Sequence, residues 1–135
     1  MIHKRVLKQT ESDAVYVLVK NGSSGALANG DVVIWDATDD DGISVDTIAT
    51  AESTLIAGVI CESIAVGAYG RMQVYGYHSA VKIDGGTTDV AANAVIGSGN
   101  VANYAYTATA VGAVLGVALE AVASKTTGKA FIRCM

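Results

Sequence analysis

The chain has 135 residues, of which 51% are hydrophobic and 16% charged, with 15 glycines, no proline and a net charge of −4. A chain of this length can bury one core without disulfides, so a single globular domain is expected. The negative charge gives no attraction for phosphate backbones, which argues against a nucleic-acid-binding protein. Without proline, the tight turns must be made by Gly, Asn or Asp.

The first residues form a polar, basic segment. His3, Lys4, Arg5 and Lys8 lie close together here, whereas the acidic residues concentrate later in the chain. The segment lacks the apolar stretch and cleavage site of a signal peptide, and no later run is apolar enough to span a bilayer. We therefore predict an extended N-terminal arm over residues 1–14 and no membrane partner.

From residue 15 onward, short apolar or alternating runs are separated by clusters of Gly, Asn, Asp, Ser and Thr. This spacing is typical of an all-β sandwich or barrel. We predict one β domain over residues 15–135. Its predicted strands are Val15–Lys20, Asp31–Asp36, Leu55–Val66, Arg71–His78, Ala80–Ile83, Ala94–Ile96, Tyr104–Thr107, Ala113–Val122 and Lys129–Cys134. A helix is the alternative over Ala113–Val122.

The stretch "GDVVIWDATDDDGISVD" carries six carboxylates in seventeen positions. A calcium-loop template fits Asp39, Asp41 and Gly42, but its first and last ligand positions fall on Ala37 and Ile48. We therefore favour a solvated loop in which Asp41 and Gly42 make the turn. A looser calcium site stays open as the alternative, with ligands from the aspartates at 36, 39, 40 and 41.

Two cysteines and two histidines provide no close ligand pair, which argues against zinc. The turn "VIGSGNVA" matches a dinucleotide-binding pattern, but the tyrosines and threonines that follow it do not favour a helix. We therefore expect no metal and no cofactor.

The strand "GRMQVYGYHS" alternates between two faces. Arg71, Gln73, Tyr75 and Tyr77 share one face, while small and apolar residues share the other. A strand of this kind is half exposed, and aromatic residues with arginine are typical of contact surfaces. The alternative is that the tyrosines only cover the sheet. The predicted surface-contact residues are Trp35, Tyr69, Arg71, Tyr75 and Tyr77.

An internal duplication organises the chain. The segment Gly58–Val74 matches Gly116–Ile132 at a constant offset, and "ANGDVVIWD" matches "AANAVIGSG" more weakly ahead of it. Each copy, about 28–83 and 91–135, reads as a three-stranded unit that cannot bury its own apolar face. We predict that the two pseudo-repeated units pack into a small β-barrel or sandwich.

The duplication also pairs Glu62 with Glu120. Two equivalent carboxylates could form an acid/base pair, which is the best enzymatic hypothesis that the sequence offers. The favoured interpretation is that each glutamate pairs within its own hairpin with Arg71 or Lys129, or points to water at a sheet edge, because both copies keep acid and base together. With no nucleophile or histidine cluster beside them, we predict that the protein is not an enzyme.

The stretch "DVVIWDATDDDG", followed by "IAGVICESIAVGAYGRMQVYGYHSAVKI", resembles the head-decoration, or capsid-cementing, proteins of tailed bacteriophages. The resemblance implies a β-rich protomer that forms homotrimers on the outer capsid surface and bridges subunits of the major capsid protein. It implies a virion component assembled in the host cytoplasm. It also implies an N-terminal segment that orders against the capsid, which makes the capsid-binding residues His3, Lys4, Arg5 and Lys8.

Two other functions stay open. A receptor- or glycan-binding virion module would use Tyr69, Tyr75, Tyr77 and the acidic loop as a platform. A small hydrolase would use Glu62 and Glu120.

Overall fold

The structure, a computed structural model, describes residues 14–39, 41–48, 55–99, 101–108 and 114–134. These residues form strands, turns and loops and no helix, which confirms the predicted all-β class. The predicted arm lies outside the described residues apart from Ala14. The strands are β1 (Val15–Asn21), β2 (Val32–Trp35), β3 (Ser44–Thr47), β4 (Ile56–Ile60), β5 (Tyr69–Ile83), β6 (Val95–Ser98), β7 (Ala105–Thr107), β8 (Val114–Ala118) and β9 (Thr126–Arg133).

The strands close into two rings that share β5. In the first ring β1, β3, β2 and β4 pair in that order, and β4 and β1 both pair with β5. In the second ring β7, β6, β8 and β9 pair in that order, and β7 and β9 both pair with β5. Each ring contains one parallel pair, β1–β3 or β5–β7, and is otherwise antiparallel. We call these five-stranded rings the first and the second barrel.

The pairing register is the same in the two barrels. Val32 of β2 faces Val59 of β4, and Val95 of β6 faces Val117 of β8. These pairs lie at the offsets of the two sequence matches, and a bulge interrupts both ladders at the same step. Register is set by which side chains must enter a core, so the repeated apolar pattern produces a repeated ladder.

Strand β5 belongs to both barrels. Tyr75, near its middle, faces Val15 of β1 on one side and Arg133 of β9 on the other. The second half of β5 is the equivalent, in the second barrel, of β1 in the first barrel. Val81 faces Gly128 there, just as Val19 of β1 faces Gly70 in the first barrel. The structure thus adds two strands to each predicted unit: β1 and β3 to the first, and this half of β5 with β7 to the second.

Each barrel encloses an apolar core made largely of equivalent positions. The first core contains Val19, Leu27, Val33, Val45, Ala57, Ile60, Ile64, Met72 and Val74. The second contains Val81, Val90, Ile96, Ala105, Leu115, Ala118, Val122, Ala130 and Ile132 at the corresponding places, and also Ile83. Val32 and Val59 join the second core from outside, because the outer face of β2 and β4 packs against the second barrel. Ile48, directly after β3, joins this core as well.

Two pairs of glycines recur at equivalent positions because the neighbouring atoms leave no space for a side chain. A Cβ at Gly58 would lie 2.4 Å from the carbonyl oxygen of Gln73, and one at Gly116 would lie 1.9 Å from that of Phe131. At Gly70 and Gly128, the space that a Cβ would need is occupied by the side chains of Ile64 and Val122, respectively. The conserved spacing of glycine in the duplication therefore reflects close strand packing.

Several strand limits differ from the prediction. The strand predicted from Leu55 to Val66 ends at Ile60, because the chain turns so that Ile64 can bridge to Leu27. The strand predicted over Ala113–Val122 likewise ends at Ala118.

Two further differences concern β5 and β3. The predicted strands Arg71–His78 and Ala80–Ile83 form one strand, whose ladder with β9 is bulged between His78 and Val81. Strand β3 was not predicted, because its letters "SVDT" alternate too little to indicate a strand. No helix capable of crossing a membrane occurs in the part of the chain that the structure describes.

Candidate contact surface

The outer face of β5 presents the predicted aromatic residues. Tyr69, Tyr75 and Tyr77 are 61%, 38% and 37% exposed, and Arg71 is exposed between them. The alternate residues Gly70, Met72, Val74 and Gly76 are buried. Because β5 is paired on both sides along its middle, these side chains stand on a rigid backbone. The strand therefore displays three rings and a guanidinium on one face.

Arg71 is held in place by its neighbours. Its backbone N–H donates to Oε1 of Glu62 at 2.8 Å, and its Nε lies 3.8 Å from the same oxygen. Its guanidinium carbon lies 5.4 Å from the ring centre of Tyr16, which is a cation–π distance. The ion pair is solvated and contributes little to stability. Its effect is to orient a guanidinium that keeps most of its surface open to a partner.

Gln73 differs from its predicted neighbours on this face because it is only 2% exposed. Its Nε2 donates to the carbonyl oxygens of Tyr75 at 3.1 Å and Tyr77 at 2.9 Å. The amide lies along its own strand and satisfies these two acceptors. Gln73 therefore braces the backbone between the tyrosines.

A cleft of about 270 Å³ opens beside this face. Its histidine and its thiol are both shifted toward their neutral forms. Nδ1 of His78 accepts the N–H of Ala80 at 3.1 Å, and burial lowers the pKa of this imidazole, which favours the neutral form. Burial likewise raises the pKa of the Cys61 thiol. The cleft offers rings, amides and a guanidinium, and it is lined by Tyr16, Asn29, Cys61, Arg71, Gln73, Tyr77, His78 and Ser79.

Of the predicted surface-contact residues, Trp35 lies away from the outer face of β5, and Tyr75 on that face is held by the second barrel. Trp35 is half-buried at the end of β2, which does not pair with β5, and it packs against the first core. Tyr75 stands edge-on to Phe131 with ring centres 5.2 Å apart, so its ring is fixed by the second barrel. The predicted capsid-binding residues His3, Lys4, Arg5 and Lys8 lie outside the described residues.

Tyr16 and Leu18 belong to this surface but were missed. β1 exposes four consecutive residues, Val15 to Leu18, although its apolar letters "VYVL" predict burial on at least one face. No sequence signal found them, because β1 lies outside the duplicated segments and its place beside β5 is set only when the first barrel closes.

The two equivalent glutamates play the same structural part in each barrel. Oε1 of Glu62 accepts the backbone N–H of Arg71 at 2.8 Å, and Oε1 of Glu120 accepts that of Lys129 at 2.9 Å. Each carboxylate thus closes the hairpin of its own barrel. Glu62 also pairs with the side chain of Arg71, as the favoured interpretation has it, whereas Glu120 bonds to the backbone of Lys129. The bonds are made to the backbone, so any basic or neutral residue could occupy the partner position.

The acidic stretch is organised by its own turn. Oδ1 of Asp41 accepts the N–H groups of Ile43 and Ser44 at 2.8 and 2.7 Å, and these bonds lower the pKa of its carboxyl group. Gly42 takes a φ of 67°, which suits the predicted turn. Among the described residues, no group of three or more His, Cys, Asp or Glu side chains is arranged to hold a metal ion. The pattern at "VIGSGNVA" runs along β6 into a turn at residues 101–103.

These features define an all-β protein of two fused five-stranded barrels with an aromatic face on the shared strand. Among solved structures, the chain is similar to the "N base" of the head fiber gp8.5 of bacteriophage phi29. The TM-score is 0.59 at 16% identity, over 90% of this chain and 96% of that chain. At this identity the likeness shows a shared fold. No protein-family model matches the chain, and no curated protein matches it significantly.

Proposed function

We propose that this protein is a structural component of a phage virion that binds the outer surface of the head. There it decorates and stabilises the capsid by bridging subunits of the major capsid protein as a homotrimer. The fold shared with the head fiber "N base", over nearly the whole of both chains, carries the proposal. The sequence resemblance to head-decoration proteins supports it from a separate direction.

The aromatic face suits such a mechanical role. Tyrosine and arginine are enriched in protein interfaces because they combine a large apolar surface with polar tips. Here Tyr69, Tyr75 and Tyr77 project from a strand that is hydrogen-bonded on both sides, so little side-chain and backbone order must be gained on binding. We assign this face to the capsid, together with the basic residues His3, Lys4, Arg5 and Lys8.

Binding to heads that lack the protein tests the face. We expect the triple variant Tyr69→Ala, Arg71→Ala, Tyr77→Ala to bind at least about tenfold more weakly in co-sedimentation, because hot-spot residues of these types carry most interface energy. Lys129→Ala is the matched control, since Lys129 is the equivalent of Arg71 in the second barrel. If the triple variant binds heads as the wild type does and has the same circular dichroism, the outer face of β5 does not contact the capsid. Failure of the wild-type protein to bind heads would remove the function.

Deletion of residues 1–11 tests the basic segment in the same assay. We expect weaker attachment to heads with unchanged circular dichroism and unchanged native mass. A truncated protein that decorates heads with the affinity of the full chain would show that the segment has no part in attachment.

The cleft favours a second candidate, a glycan-binding virion module. Tyr16 and Tyr77 line it together with Arg71, and aromatic rings with a few polar groups are the usual lining of small-ligand sites. Saturable binding in a glycan array, lost in Tyr77→Ala, would support this candidate. It would be rejected if no sugar bound while the protein bound heads.

A further inference from the structure

The cleft beside the outer face of β5 forms where this strand leaves the first barrel. Gln73 still pairs with Tyr16 of β1, whereas Tyr77 already pairs with Phe131 of β9. The amide nitrogen of Gln73 lies 2.9 Å from the carbonyl oxygen of Tyr77, although an extended strand would separate two such residues by about 13 Å. The strand therefore bends, and the bend brings residues 71–79 around one opening.

Three of the side chains that line the cleft are committed to the protein itself. The amide nitrogen of Gln73 donates to two backbone carbonyl oxygens, and Nδ1 of His78 accepts a backbone N–H. The thiol of Cys61 lies 3.6 Å from the carbonyl oxygen of Val59, to which it donates. These groups shape the cleft, so the groups that could bind a ligand belong to the other lining residues.

The other lining side chains hold open hydrogen-bonding groups. Within the described part of the chain, the guanidinium of Arg71, the amide of Asn29 and the hydroxyl of Ser79 make no hydrogen bond. The same is true of the hydroxyl groups of Tyr16 and Tyr77. Arg71 is the one charged residue among the described residues of the lining near neutral pH. The cleft thus offers one cation and several neutral polar groups.

The guanidinium of Arg71 is held in place but keeps its donors. Its ion pair with Glu62 reaches Nε at 3.8 Å, which is longer than a hydrogen bond, and Glu62 does not line the cleft. The ring of Tyr16 lies against the guanidinium at 5.4 Å from its carbon atom. A planar guanidinium with free N–H groups binds a carboxylate through two parallel hydrogen bonds. Arg71 is therefore suited to an anionic ligand with this geometry.

The second barrel shows that the fold does not require this polar lining. The position equivalent to Gln73 is Phe131, because Gln73 faces Val59 as Phe131 faces Val117. The position equivalent to Asn29 is Ala92. A buried amide costs free energy unless it is hydrogen-bonded, so an aromatic ring would satisfy the sheet more simply. The polar groups therefore belong to the cleft of the first barrel and not to the barrel design.

We propose that this cleft binds a saccharide unit that carries a carboxylate. Arg71 pairs with the carboxylate, and Asn29 and Ser79 bind hydroxyl groups of the sugar. The C–H groups of the sugar ring pack on the aromatic ring of Tyr77. A volume of about 270 Å³ is at the small end of ligand pockets, which suits one sugar unit. This inference rests on the glycan-binding candidate above, whose ligand class it names.

NMR titration of the full chain, without heads, tests the ligand class. The probes are glucuronate, its methyl ester and acetate. We expect glucuronate to bind with a Kd on the order of 1 mM, as a single sugar unit makes few contacts. The ester lacks the charge and acetate lacks the ring, so each should bind at least about tenfold more weakly. Added salt should weaken the binding of glucuronate, because the cleft is open to solvent.

The variant Arg71→Gln separates recognition of the charge from recognition of the ring. We expect it to bind glucuronate and the methyl ester equally, with the circular dichroism of wild type. Lys129→Gln is the matched control, since Lys129 is the equivalent of Arg71 in the second barrel. It should keep the preference of about tenfold for glucuronate.

Three results would overturn the inference. They are a wild-type protein that binds glucuronate no better than the ester or acetate, a wild-type protein whose amide signals no probe shifts, and an Arg71→Gln variant that keeps the preference. The first two need no variant, so a misfolded variant cannot rescue the inference. Binding of neutral sugars without this preference would leave the glycan-binding candidate intact while the carboxylate specificity fails. Heads bound by a protein that binds no probe would leave the structural function intact.

Discussion

The first and the second barrel share one backbone design but fill it with different side chains. In the first core Ala57 and Met72 occupy two positions that Leu115 and Ala130 occupy in the second. Each barrel thus has one large and one small residue at this pair of places, in opposite order. Cores accept such exchanges when the total volume is kept. The comparison teaches that ladder register and glycine positions define the barrel, whereas individual core residues can vary.

The outer faces teach a different lesson. Segment 30–32 is buried by the second barrel, whereas its counterpart 93–95 remains largely open. The chain has two barrels and one junction between them. Each surface used in that junction therefore has an equivalent on the other barrel that stays uncovered. The open surfaces are therefore a direct consequence of duplication, and they retain apolar residues.

The glycines should give the largest effect on stability. Gly116→Ala places a Cβ against the backbone of Phe131, and we expect it to lower the free energy of unfolding by about 3 kcal/mol or more. Gly58→Ala should cost somewhat less, because its backbone contact is longer. Urea unfolding measures both. Gly25→Ala is the control, since nothing lies within 4 Å of its Cβ, and equal stability of Gly116→Ala and Gly25→Ala would contradict the packing argument.

The exchanged core pair should give the next largest effect. Met72→Ala opens a cavity in the first core, and we expect it to lower the free energy of unfolding by about 2–4 kcal/mol. Adding Ala57→Leu copies the arrangement of the second barrel and should restore part of that loss. A double-mutant cycle by urea unfolding measures the coupling between the two positions. Strict additivity would show that the two positions do not share space.

The ion pair between barrels should give a moderate effect. Lys82→Gln leaves the carboxylate of Asp31 buried without its cation, and we expect it to lower the free energy of unfolding by about 2–3 kcal/mol. Lys20→Gln, at the equivalent position in β1, should cost less than about 1 kcal/mol as a surface substitution. Thermal unfolding of both variants checks the difference. Similar losses in the two variants would mean that the junction does not depend on this pair.

His78 should give the smallest effect, and only in acid. Burial holds its pKa below the ordinary value of 6.5, so the unfolded chain binds a proton first as the pH falls. Its contribution to stability is therefore complete above pH 6.5 and declines below it. Unfolding free energies of wild type and His78→Gln, measured from pH 8 to pH 5, should converge as the pH falls. A difference that does not change with pH would show that His78 does not titrate in this range.

Much of the fold could be predicted because the duplication carries its own register. Five identical residue pairs at one offset show that β4 and β8 are equivalent strands. They also show that the hairpins closed by Glu62 and Glu120 are equivalent. Strand β3 could not be predicted in this way, because its four residues include only one apolar side chain and its pairing with β1 is parallel and distant. The double use of β5 was also hidden, since a bulge near Ser79 interrupts its pattern of alternation.

The candidate surface was only partly visible in the sequence. Alternation along β5 placed Arg71, Tyr75 and Tyr77 on an outer face, where they are exposed, but it also placed Gln73 there, which is buried. The cleft was not predicted, because it needs Tyr16 from β1 and Asn29 from a turn, and these come together only when the first barrel closes. The exposure of the outer face of β6 and β8 could not be predicted either, since Val32 and Val59 are fully buried whereas the equivalent Val95 is 41% exposed.

The pairing of Tyr75 with both Val15 and Arg133 brings the start of β1 and the end of β9 to neighbouring edges of one strand. Two strand spacings separate them, about 10 Å. A short linker could therefore join β9 to β1, and new ends could be opened at the exposed turn near Gly67. Such a circular permutant would keep every β ladder of both barrels while placing the new chain ends at that turn.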